Sequence, residues 1–174
     1  MKKLLWIGLV ALMVISLSGC SAIYSLTGSQ NSTIQPGDKV GDFLVTTGVE
    51  GDFTYGFTVA CMQTNDATTY SCQALVGDNI NVSTGIYVSD KNANPDDILS
   101  HSKYHMFIDD RPVDLQAFGL IEYTHPGAEE MGTIYFANVV ITTDKPGQIT
   151  VKDEGVYDNG EPFTSTSTYV FSHP

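Results

Sequence analysis

Asn79-Ile80-Asn81-Val82-Ser83-Thr84-Gly85-Ile86-Tyr87-Val88 is the stretch that decides the fold. Ile80, Val82, Thr84, Ile86 and Val88 alternate with Asn79, Asn81, Ser83, Gly85 and Tyr87. A period of two places the first set on one face of an extended strand and the second on the other. Only Tyr87 breaks the polar face. The same period recurs upstream, where Phe53, Tyr55, Phe57, Val59 and Cys61 share a face opposite Thr54, Gly56, Thr58 and Ala60. Downstream, Tyr104, Met106 and Ile108 form a shorter apolar face.

Further strands are predicted at 40–47, 71–76, 113–123, 133–143, 148–152 and 166–172. Ile134 to Ile141 is apolar on both faces, which predicts a central strand buried on both sides or a bulge near Asn138. Gly77-Asp78 fits a two-residue hairpin, and Asp109-Asp110, ahead of Arg111-Pro112, fits another turn. Pro146-Gly147 fits a type II turn and Asn159-Gly160 a type I′ turn. Many short strands with turns at this spacing predict an all-β antiparallel sandwich. The run Thr143-Asp144-Lys145-Pro146-Gly147-Gln148-Ile149-Thr150-Val151 weakly resembles bacterial immunoglobulin-like domains, which implies an immunoglobulin-like sandwich and carries no function with it. A jelly roll and a small barrel are the alternative architectures.

The N-terminus predicts where the protein resides. Lys2 and Lys3 precede an apolar run from Leu4 to Leu17, the length of a secretory signal core and short for a membrane span. It ends in Leu17-Ser18-Gly19-Cys20, which resembles the lipobox of bacterial lipoproteins. The resemblance implies cleavage before Cys20, diacylation of its sulfur and acylation of the new amine. Several acyl chains anchor stably where one binds marginally. The expected organisation is a signal peptide at 1–19, a lipidated Cys20 with a tether at 20–36, and one domain at 37–174. The protein is then lipid-anchored in the bacterial cell envelope, outside the cytoplasm. The other reading, an ordinary signal peptide cut nearby, leaves a soluble protein.

Loss of Lys2 and Lys3 leaves 6 basic against 20 acidic residues, a net of −14. Nucleic acid needs clustered Lys and Arg and is not an expected partner. With Cys20 lipidated, Cys61 and Cys72 are left in a disulfide-permissive compartment and are predicted to pair.

Candidate chemistry is sparse. Asp90, Asn92 and Asn94 suit positions 1, 3 and 5 of a calcium loop, but Pro95 stands where its turn needs glycine and His101 where it needs glutamate. A short helix over 95–101 accounts for the stretch better. Asn94 caps it, Pro95 opens it, and Asp96 and Asp97 meet the positive end of its dipole. His101 and His105 are too far apart on a strand to share a zinc ion, and His125 can join them only through the fold. No metal and no cofactor is expected. The acid pairs Asp96-Asp97, Asp109-Asp110, Glu129-Glu130 and Asp153-Glu154 are read as solvated charge. Glu122 is the best single candidate for a catalytic acid and has no identifiable partner.

Candidate ligand-binding residues are Tyr87 and Tyr135, as stacking surfaces, and Arg111, as a grip on an anion. These features favour a non-catalytic envelope protein that binds a protein or glycan partner. The alternative is a small glycan-directed hydrolase with a site scattered in sequence.

Overall fold

The computed structural model describes residues 32–64, 66–88, 94, 97–99, 103–123, 133–156 and 160–174, less the side chains of Tyr87 and Val88. The chain divides into two compact units, Met1–Ser32 and Thr33–Pro174. Of the first, only Ser32 is among the described residues. The signal segment and Cys20 therefore lie outside them.

The second unit is built almost wholly of strands: β1 (Lys39–Val40), β2 (Phe43–Thr46), β3 (Thr54–Tyr55), β4 (Ala60–Gln63), β5 (Thr69–Leu75), β6 (Ile80–Asn81), β7 (Gly85–Val88), β8 (His105–Ile108), β9 (Arg111–Pro112), β10 (Leu120–Tyr123), β11 (Thr133–Ala137), β12 (Val140–Thr142), β13 (Gly147–Val156) and β14 (Pro162–Ser172). They form a five-stranded sheet, β1-β2-β12-β6-β3, a three-stranded sheet, β10-β11-β7, and a six-stranded sheet, β4-β5-β14-β13-β8-β9. The architecture is all-β and sandwich-like. Val45, Ile80 and Ile141 of the five-stranded sheet share one core with Met106, Ile108, Ile149, Val151 and Phe171 of the six-stranded sheet. Phe43 and Phe171 meet edge to face across it, with centroids 5.4 Å apart.

Two pairings depart from the antiparallel expectation, because β14 runs parallel to β5 and β3 parallel to β6. Gly77-Asp78 is not a hairpin. The Asp78 N–H donates to the Leu75 carbonyl, with Gly77 at φ +92°, and this turn carries the chain out of the six-stranded sheet into the five-stranded one. Pro146-Gly147 likewise leads from β12 into β13 of a different sheet, and Gly147, the first residue of β13, lacks the positive φ of a type II turn. Asp109-Asp110 does form the expected turn, and the structure makes it a hairpin. Both residues are left-handed, at φ 45° and 62°, as a type I′ turn requires, and β8 pairs with β9. Gly160 has a positive φ, while Asn159 lies outside the described residues.

The stretch 79–88 is two strands. β6 pairs with β12, while β7 pairs with β11 in the other sheet. The register is the same on both sides of the break, since Asn81↔Val140 and Gly85↔Phe136 are separated by equal lengths of each strand. In the gap the Ala137 carbonyl accepts from Asn81 Nδ2 at 2.9 Å and from Ser83 Oγ at 2.8 Å. Asn81 Oδ1 accepts in turn from the Ser83 N–H. Asn81 and Ser83 are buried, so the middle of the expected polar face points inward and is satisfied internally, while Asn79 is exposed. On the partner strand the break falls at Asn138, whose side chain accepts from the Gly48 N–H and donates to the Gly48 carbonyl. β11 is buried toward its C-terminal end and central in its sheet, as its double apolar pattern predicts.

Other segments also differ from expectation. The predicted strand 113–123 is a β-bridge at Val113, a helix α1 (Leu115–Phe118) and then β10. Asp114 caps α1 by accepting from the Ala117 N–H. The strand predicted over 53–61 is interrupted by a single 3-10 turn at Gly56–Thr58. At 97–99 the chain is helical, and the Asn94 carbonyl accepts from the N–H groups of Asp97 and Ile98, the bonding expected at a helix start. Pro95, Asp96 and His101 lie outside the described residues.

The tether predicted to reach 36 ends sooner. Ile34 is 0% exposed and bridges Val113, and its N–H donates to the Pro112 carbonyl at 2.8 Å. An apolar residue with both neighbours polar reads as part of a linker, yet here it completes the core beside β9.

Candidate functional site

The inner face of the six-stranded sheet changes character along its length. On β14, Phe171 and Tyr169 give way to Ser167 and Ser165; on β13, Ile149 and Val151 give way to Asp153 and Gly155. Interiors close-pack, so small side chains in a row leave space unless a neighbour fills it. Here the space stays open as a cavity of about 720 Å³. Ser165 and Ser167 line it from one side, and Gly85, Ile134 and Phe136 of the three-stranded sheet from another.

One wall is aromatic. Phe57, Tyr123 and Phe136 line the cavity and touch each other, with Phe57 stacked on Phe136 at 5.5 Å and Tyr123 edge-on to Phe136 at 5.7 Å. Tyr55 packs on all three. Phe57 is 57% exposed and stands at the mouth. The 3-10 turn presents it there, and the turn itself depends on Gly56. A Cβ at Gly56 would lie 2.4 Å from the Tyr169 hydroxyl and 2.9 Å from the Asn81 carbonyl.

The polar end of the lining is Asp153, only 5% exposed. Its Oδ1 accepts from the Tyr104 hydroxyl and its Oδ2 from the Thr84 hydroxyl, each at 2.7 Å. The Tyr104 oxygen in turn accepts from the Thr84 N–H. Burial pushes the Asp153 carboxyl up to about 6, against these two hydrogen bonds, which pull it down. Burial, and then the negative charge of Asp153, hold both the Tyr104 and Tyr169 phenols above the usual range. Among the described lining residues Asp153 is the only charged side chain, and none is Lys, Arg or His. Its neighbours in sequence point the other way. Lys152 is ion-paired with Glu154 and sits over the Phe107 ring on the outer face.

Cys61 and Cys72 form a disulfide across the antiparallel pair β4–β5, where they are direct register partners. Cys61 also lines the cavity, so the bridge fixes one rim.

Most residues singled out in sequence lie elsewhere. Tyr135 is 7% exposed and so offers no surface for stacking. It occupies the face of β11 opposite Ile134 and Phe136. The Tyr87 backbone pairs with Ile134, and its side chain is outside the described set. Arg111 donates from Nη1 to the Lys39 carbonyl at 3.2 Å, tying β9 to β1, and does not line the cavity. Glu122 is exposed on β10 and is not part of the lining. Asp109 is exposed at its turn, and its carboxylate also accepts from the Thr150 N–H, extending the β8–β13 ladder. His105 is exposed on β8, while His101 and His125 lie outside the described residues. Among the described residues no three His, Cys, Asp or Glu side chains are grouped as metal ligands.

Sequence reasoning missed Asp153, Thr84 and Tyr104. One signal was available: Ile149, Val151, Asp153 and Gly155 continue a single period of two, which turns Asp153 inward if the strand runs past 152. Comparisons with protein-family models, with curated proteins and with solved structures find no match.

Proposed function

We propose that this chain is a non-catalytic, lipid-anchored protein of the bacterial cell envelope that works by binding, and that the cavity between β14 and the aromatic wall is its binding site. The anchor rests on the signal-like segment ending at Cys20. The binding reading is carried by one observation, a cavity of about 720 Å³ that joins an aromatic wall to a polar end, within the size of ordinary small-ligand sites. A concave site of that size favours a small ligand, or a small group of a protein or glycan partner, over a flat docking surface. A glycan-directed hydrolase is less well supported. Its reaction requires two carboxyl groups across the substrate, and the described lining carries Asp153 alone, with both oxygens already accepting hydrogen bonds.

Two experiments test the two halves. Cys20→Ala should abolish acyl-chain labelling and membrane partition; unchanged partition refutes the anchor. For the cavity, the small-molecule fraction of an envelope extract should raise the melting temperature of the full chain. A ligand at 100 times its dissociation constant stabilises by about 2.7 kcal/mol. Ser167→Phe, which fills the cavity, should remove that shift. A shift that persists in Ser167→Phe places binding elsewhere.

A further inference from the structure

The cavity combines three features that select ligand charge. It has an aromatic wall of Phe57, Tyr123 and Phe136, one buried carboxyl, Asp153, and no basic side chain among its described lining residues. An aromatic ring presents a negative face that attracts a cation, and the attraction grows when water is excluded. A buried carboxylate acts in the same direction, because charges interact more strongly away from water. An anion would meet the reverse of both effects. The chain as a whole is acidic, with 20 Asp and Glu against 8 Lys and Arg, which draws cations toward it.

Resting on the binding reading above, we infer that the cavity takes a small organic cation, an alkylammonium or quaternary ammonium compound, with its charged head between the aromatic wall and Asp153. Quaternary ammonium suits the site in a further respect. It offers no N–H, and the two Asp153 oxygens already accept from Tyr104 and Thr84. The head needs only proximity to the carboxylate and methyl contact with the rings. A metal ion would instead need several oxygen ligands.

The ionised form of Asp153 is the one that attracts a cation, so binding should tighten as pH rises through about 6. The titratable groups facing Asp153 from the packed elements are Tyr104, ahead of β8, and Tyr169 on β14, and both are held above the usual range. Its register partners, Ser165 on β14 and Met106 on β8, do not titrate. The dependence therefore belongs to Asp153.

The test is calorimetric titration of the full chain in detergent with three probes: choline, its neutral carbon isostere in which carbon replaces the charged nitrogen, and N-acetylglucosamine. Choline should bind at least about tenfold more tightly than the isostere. That preference should shrink as pH falls below about 6, and in Asp153→Asn it should be smaller and independent of pH, leaving the part due to the aromatic wall. Phe136→Leu should weaken choline more than the isostere. Equal or weaker binding of choline in the wild type overturns the inference, and that comparison needs no variant to fold. If the isostere or the sugar binds and choline does not, the cation reading fails and the cavity remains a binding site. If none of the three binds, the cation reading fails, and the extract experiment decides the binding reading separately.

Discussion

The two ends of the sandwich are made from the same strands and differ in what those strands carry. At one end Phe171, Ile149 and Val151 face Phe43, Val45 and Ile141 in a filled core. At the other, Ser165, Ser167, Asp153 and Gly85 surround open space. The first end holds the fold and the second holds the candidate site. The backbone hydrogen bonds of β13 and β14 run unbroken through both. The ladder therefore does not decide which end packs; side-chain volume does.

The largest test of that contrast removes one ring at each end. Phe171→Ala should destabilise by about 3–5 kcal/mol, as expected for a buried aromatic. Phe57→Ala should lose under about 1 kcal/mol, because that ring is mostly exposed. Equal losses in chemical denaturation would break the comparison. The second test uses pH. Asp153 keeps its proton to about pH 6 in the folded protein and to about its ordinary 3.8 in the unfolded chain. Between these values the folded state binds the extra proton, so stability falls as pH rises. The contribution is complete below about pH 4 and gone above about pH 6, a loss of about 3 kcal/mol. The stability difference between wild type and Asp153→Asn should change by that amount across this window and stay flat above it.

A third test concerns the filled core alone. A chain starting at Gly37 should be less stable than one starting at Thr33 by about 2–3 kcal/mol, the burial of Ile34. The smallest effects sharpen the contrast most. Ala74→Val adds methyl groups to the packed end and should cost about 1–3 kcal/mol. Ser167→Val adds similar bulk beside the cavity and should stay within about 1 kcal/mol of wild type. Thermal melts of this pair report directly which end has room.

What could be read from the sequence follows the same division. Strand content, the Asp109-Asp110 turn and the disulfide were legible, because period two, turn residues and cysteine spacing are local signals. Sheet membership was not. Nothing in Val76-Gly77-Asp78 distinguishes a hairpin from a step between sheets, since the turn chemistry is the same. Asn81 and Ser83 looked solvent-facing because their acceptor, the Ala137 carbonyl, lies more than fifty residues away. The site was the least legible part. Thr84, Tyr104 and Asp153 come from three segments far apart in sequence and meet only through side-chain hydrogen bonds, and Asp153 was masked by its half-buried neighbour Glu154. Tyr135, read as a stacking surface, is buried, and period two alone cannot tell a covered face of a sheet from an open one.

The parallel contact of β14 with β5 has a consequence for the order of assembly. β14 lies inside the six-stranded sheet, between β5 and β13. The β4–β5 hairpin forms locally and can be cross-linked early, but its place in the sheet is next to a strand made about a hundred residues later. Until Pro162–Ser172 has emerged, β5 offers an unpaired edge and the sheet stays in two pieces. A growing chain cannot close this domain from its first half, so its folding waits until nearly all of the sequence is released. Such a chain stays open to threading through a narrow channel for as long as threading lasts, and it closes once its late strand arrives.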